Sequence, residues 1–187
     1  GKISKTVYKG LEDKASVDLY IHGDYEFNAE NNIQLDALKA ALEIKLLERL
    51  REKESGVYSP SVSLSVEKHP PAHYYFNISF SCSPANVEKL IAASMDEVNK
   101  IKESGASADD ISKFKSEEQR QVELNLRNNN YWLNYITNRL QNSEDLGQLL
   151  TNTQRLNGIT IASTKAAAQK YLTGDNYIRL VLMPEKK

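Results

Sequence analysis

Three histidines, one cysteine and several paired carboxylates are the side chains that could do metal or nucleophilic chemistry in this sequence. His69 and His73 are four apart, the spacing that sets two imidazoles on one helical face around zinc. The residues between them, Pro70, Pro71 and Ala72, do not hold a helix, and no glutamate lies there to activate water. The segment therefore reads as a hairpin connection. Neither His-Glu-x-x-His nor its reverse, His-x-x-Glu-His, occurs. No metal-hydrolase centre is expected within these residues. Cys82 falls on the apolar side of an alternating run and reads as a small core residue. A single cysteine excludes an internal disulfide framework and a multi-cysteine zinc site. There is no Gly-x-Ser-x-Gly elbow and no phosphate-binding glycine loop. Asp109-Asp110 and Glu117-Glu118 read as caps or solvated helix faces.

A different pair stands out in Leu50-Arg-Glu-Lys-Glu-Ser-Gly-Val-Tyr-Ser-Pro60. Arg51 sits in the last turn of a long helix pattern and Tyr58 follows Gly56. The arginine can simply complement the helix dipole, and the tyrosine can simply start the next strand. Pointed into one cleft, they would instead offer a fixed cation and a phenolic donor, a combination suited to peptide carbonyls or a developing oxyanion.

The elements that must position this pair follow from periodicity. Lys14 to His22 reads as a strand stopped by Gly23-Asp24. Leu35, Leu38, Leu42, Leu46 and Leu50 recur every three or four residues, predicting a helix from about Asn32 to Glu54, with Gly56 at its end. Val62, Leu64 and Val66 alternate with serines, and Tyr74, Phe76, Ile78, Phe80 and Cys82 alternate with polar or exposed positions, predicting a β-hairpin. Its apolar face should lie under Leu38, Leu42, Leu90 and Val98. Ser83-Pro84 opens a helix with the stripe Val87, Leu90, Ile91, Ser94, Val98 and Ile101, closed by Gly105. Ser107 with Asp110 resembles a capping box opening a third helix, which Asn128-Asn-Asn130 interrupts. A fourth segment carries Trp132, Leu133, Ile136 and Leu140, with Trp132 read as a packing residue. Thr160 begins an alanine-rich helix, and Tyr177 to Met183 is a last strand. The order β, α, β, β, several α, β predicts an α+β fold, an open sheet with helices on one face.

Composition agrees with one globular unit. Of 187 residues, 40% are hydrophobic and 26% charged, which excludes disordered and collagen-like classes. The net charge of −1 supplies no overall field for nucleic acid or an anionic membrane. The longest apolar runs, Leu90 to Ala93 and Leu180 to Met183, are too short to span a bilayer. Gly1 in place of Met reads as a processed chain or a piece cut from something longer.

The Arg51–Tyr58 segment resembles the Arg…Tyr motif of the insulinase/pitrilysin-type zinc metallopeptidases, in their inactive C-terminal half. Lys14 to Gly23, Phe76 to Pro84, Asn130-Tyr-Trp-Leu133 and Asn176 to Pro184 resemble the same half, so the likeness runs through the whole chain. It implies a mostly antiparallel metallohydrolase-like domain of the mitochondrial processing peptidase type. Residues 1–187 would form a single domain without zinc, the fourth of four. Arg51 and Tyr58 would bind substrate near a zinc held in the N-terminal domain, and these residues alone would cleave nothing. The implied partners are a peptide substrate and either further domains of the polypeptide or a zinc-bearing subunit; neither nucleic acid nor membrane is among them. The compartment implied is periplasmic or cytoplasmic in a bacterium. A second possibility is a non-enzymatic assembly module of the same fold, for which an Arg/Tyr pair would be unnecessary.

Overall fold

The structure, a computed structural model, describes residues 1–57 and 59–185. Its sheet has five strands: β1 Lys2–Tyr8, β2 Ala15–Asp24, β3 Ser61–Glu67, β4 His73–Cys82 and β5 Tyr177–Met183. They lie in the order β1-β5-β2-β4-β3, with every neighbouring pair antiparallel except β1 and β5. The helices are α1 Ala29–Leu46, α2 Val87–Ser104, α3 Ala108–Asn125, α4 Asn129–Gln141, α5 Asn152–Asn157 and α6 Ile161–Tyr171. No helix among the described residues is long and apolar enough to cross a membrane.

Alternation decides which face of the sheet is covered. Ala15, Val17, Leu19 and Ile21 of β2 register against Cys82, Phe80, Ile78 and Phe76 of β4, so their side chains share one face. All eight are buried, in one cluster with Leu38, Leu42, Leu46 and Leu50 and with Leu90 and Val98 of α2. The helix stripes expected over the hairpin are thus in place. A second cluster lies further from the sheet, where Ile33, Ala37 and Ala41 of α1 meet Ile111, Phe114, Leu156 and Ile159. The helices form two tiers on one side, and α1 is buried from both directions.

Several local readings are corrected. The opening strand β1 was not expected. Its seven residues are all exposed and carry no one-sided apolar pattern, so pairing with β5, 175 positions away at Lys2↔Tyr177, is what makes it a strand. Between α4 and α6, where sequence reading assigned no element, a 3-10 turn, Leu146–Thr151, runs into α5. Ser83 does not cap α2 with its hydroxyl; a 3-10 turn at Pro84–Asn86 intervenes, closed by the Asn86 N–H donating to the Ser83 carbonyl at 2.9 Å. Asp110 caps α3 together with Ser107, as their spacing predicts, but is buried rather than solvated. Its N–H donates to Ser107 Oγ, its carboxylate accepts from the Ser107 hydroxyl at 2.6 Å, and the buried carboxylate pairs with Lys45 at 3.2 Å, pinning α3 to α1. Trp132 packs locally: its Nε1 donates to the Leu126 carbonyl at 3.0 Å across the corner between α3 and α4.

Candidate functional site

The site expected from the sequence depends on how the long helix ends. The α-helical hydrogen bonding stops at Leu46, earlier than the periodicity implies, and residues Leu47–Lys53 continue as a π-helical turn. Here the Glu54 N–H donates to the Arg49 carbonyl at 3.0 Å, one residue further back than in an α-helix. The wider turn keeps Leu50 in the leucine stripe, fully buried, and leaves Arg51 exposed beside it.

Ser55, rather than Gly56, takes the left-handed conformation that ends the helix, with φ +49°. The Gly56 N–H then returns to the Leu50 carbonyl at 3.2 Å. Glycine is needed at 56 for a different reason: a Cβ there would stand 3.0 Å from both methyl carbons of Leu90. A side chain here would need the Leu90 side chain of α2 to give way, and Val57 is buried immediately after.

A pair of cations braces the same turn. Glu54 accepts from Lys89 of α2 at 2.7 Å and from Arg49 at 3.1 Å. The Lys89 ammonium, helped by Arg49, holds the Glu54 carboxyl below the ordinary carboxylate range. Sequence reading did not single out Glu54, Lys89 or Arg49. Their role depends on α2 lying beside a turn thirty-odd positions earlier, and no local spacing signals it. Arg51 is therefore an exposed cation on a turn fastened by a buried leucine below and an ion-paired glutamate above. Tyr58, the other half of the expected pair, lies outside the described residues. Glu52 and Lys53 are exposed on the same turn and Ser59 is exposed after it.

The remaining candidates separate from this site. Cys82 is buried and its thiol is pushed up by desolvation, the opposite of an activated nucleophile. His69 and His73 flank the Pro70-Pro71 connection at the far end of the hairpin, where His73 Nδ1 lies 2.9 Å from the Pro71 carbonyl. Among the described residues no three His, Cys, Asp or Glu side chains are placed to hold a metal ion, so the residues present do not fit a zinc centre. Asn130 is exposed at the start of α4, whose cap is Asn128.

Comparison with known proteins gives the family and the fold. The peptidase M16 inactive domain family matches residues 2–118, which include both strands of the hairpin and the Arg51 turn. The probable zinc protease PqqL of Escherichia coli K12 is 26% identical over 159 residues, covering 84% of this chain, and the zinc protease PQQL-like of Arabidopsis thaliana is 27% identical over 161, covering 78%. This chain spans only 17% of the length of either relative. In the crystal structure of the periplasmic protease PqqL, the matching part superimposes with a TM-score of 0.87 at 26% identity, covering 98% of this chain and 21% of that one. The ferredoxin protease FusC, solved in complex with Arabidopsis ferredoxin, gives a TM-score of 0.86 at 16% identity, covering all of this chain and 20% of FusC. At that identity the likeness is one of fold. With more than half of its length matched, the chain belongs to the peptidase M16 inactive-domain family.

Proposed function

We propose that this chain is the non-catalytic C-terminal domain of a zinc metalloendopeptidase and closes over the peptide substrate as part of a composite active site. Arg51 would hold a carbonyl of the substrate backbone through its planar fork of donors. Tyr58 would donate to the carbonyl oxygen under attack as that oxygen gains charge. The zinc would be held by another domain of the longer protein, this one being the fourth of four. The relatives are named zinc proteases and are about five times as long as this chain, which supports that reading. The observation that carries it is the place of Arg51: an exposed residue on a turn fastened by the buried Leu50 and the ion-paired Glu54. PqqL is described as periplasmic, which supports the periplasm for a bacterial bearer of this domain, and the FusC complex supports a protein or peptide as the substrate class.

The test is turnover of the full-length protein with single changes at the pair. Tyr58→Phe removes one donor while keeping the ring, and a loss of ~100- to 1000-fold in turnover is expected. Arg51→Lys is also expected to be damaging, because a point charge does not reproduce the fork. Thermal stability should be unchanged for both. Normal turnover in both variants would overturn the clamp. Loss of stability instead would make the pair a brace for the helix end and favour the assembly-module reading.

A further inference from the structure

Two rows of side chains run side by side along the face of α4 that meets Phe27, while Leu133, Ile136 and Leu140 are exposed on the other. Positions four apart are neighbours on a helix, so Asn134, Asn138 and Asn142 form one row and Tyr131, Tyr135 and Arg139 the next. All six line a cleft of about 440 Å³, together with Phe27 from the segment before α1 and Glu144 from beyond the end of α4.

The ring row is fixed in place. Tyr131 stacks on Tyr135 with 5.9 Å between centroids and 23° between planes, and Arg139 lies 5.2 Å over the same ring. The Tyr135 hydroxyl donates to the Leu146 carbonyl at 2.8 Å and accepts from the Leu149 N–H at 3.2 Å. The amide row is open. Asn134 and Asn138 are exposed, and their side chains bond to no other described residue. Asn142 uses only its nitrogen, donating to the Asn138 carbonyl at 2.8 Å.

We propose that this cleft binds an extended peptide and reads its backbone with the asparagine row. Successive amides stand about 6 Å apart along the helix axis, close to the ~6.4–6.8 Å between alternate residues of an extended chain. Each amide offers a carbonyl acceptor and an NH2 donor, the complement of one residue's N–H and C=O. Backbone bonding of this kind supplies affinity for many sequences, while the tyrosine rings beside it receive apolar side chains. The spacing is what favours a peptide over a saccharide, which rings and amides would also suit. Charge sets a preference at the Asn142 end. Glu144 is held there by two cations, Lys68 at 2.8 Å and Arg139, and the surplus positive charge suits an acidic residue of the peptide. Phe27 and Arg51 stand at opposite ends of α1, so this site is separate from the proposed clamp.

The test is fluorescence anisotropy of the full-length protein, in EDTA to prevent cleavage, with a fluorescein-labelled Thr-Val-Thr-Val-Thr-Asp peptide. Asn134→Ala/Asn138→Ala should weaken binding about tenfold or more, since two backbone-reading amides are lost. Both changes put a better helix former at an exposed position, so an unchanged thermal melt should accompany the lost affinity. N-methylating the internal amides of the peptide should weaken binding as much, with its side chains intact. Exchanging its Asp for Lys should weaken binding to the wild type. Any of four results would overturn the proposal: no saturable binding by about 1 mM peptide, wild-type affinity in the double variant, undiminished binding of the N-methylated peptide, or capture of chitotetraose in place of the peptide. Equal affinity for the Asp and Lys peptides would overturn the assigned preference. The affinity is read at Asn134 and Asn138, so it stands or falls independently of turnover in the Arg51 and Tyr58 variants.

Discussion

At the scale of single residues, the most constrained position of the candidate site is one without a side chain. Gly56 crosses Leu90 with 3.0 Å between a would-be Cβ and each methyl carbon, and Leu90 is itself buried among core residues. Gly56→Ala requires the Leu90 side chain to give way by a few tenths of an ångström, or else α2 or the turn that carries Arg51 shifts. A loss of about 1–3 kcal/mol is expected in denaturant melts, the usual range for forcing extra volume into packed surroundings. An unaffected midpoint would show that Leu90 moves aside freely. Sequence reading placed Gly56 at the end of the helix, a fair inference from type alone. The left-handed residue is Ser55, one earlier, because the π-helical turn shifts where the chain leaves the helix.

Between elements, α1 and α3 enclose a cleft in which charge works against packing. Asp36 of α1 and Glu118 of α3 line it together with Lys39 and Phe114. Loss of water around the Asp36 carboxyl, then repulsion from Glu118, raises its pKa to about 6, against the pull of Lys39. Glu118 is raised as well, by desolvation first and then by Glu117. Unfolding returns Asp36 to the ordinary carboxylate range near 4, so the folded state binds the extra proton between roughly pH 4 and 6. Stability from this group is therefore fully present at the acidic end and lost as pH rises through 6. Asp36→Asn should remove that loss, raising stability at pH 7 by about 1 kcal/mol or less, since the carboxylate still touches water. Melts of both proteins from pH 4 to 7 decide the matter: curves that stay parallel would mean that Asp36 titrates normally.

At the scale of the whole molecule, the sheet and the helices packed on it depend on the larger of the two buried clusters. Phe80 of β4 is opposite Val17 in the register and is clustered with residues of α1 and α2. Phe80→Ala should cost about 3–5 kcal/mol in denaturant unfolding, the range for a buried ring whose cavity cannot collapse. A cost below about 1 kcal/mol would mean that the covered face relaxes locally.

The elements with a one-sided apolar pattern, namely β2, the hairpin, α1 and α2, were legible from the amino-acid sequence alone, because burial on one face leaves a period of two or of three to four. The Arg51–Tyr58 pair was singled out from its place at a helix end and from the family resemblance, not from any period, and Tyr58 lies outside the described residues. Tertiary structure alone decided the rest. β1 exists through its pairing with β5, the Arg51 turn is fastened by Lys89 from a later helix, and Asp110 is buried against Lys45. The apolar stripe of α4 makes the distinction plainest. Its period correctly announced a helix, but period records only that an apolar face exists, and the direction in which that face points is set by contacts distant in sequence, here the clasp of Glu144 by Lys68 and Arg139.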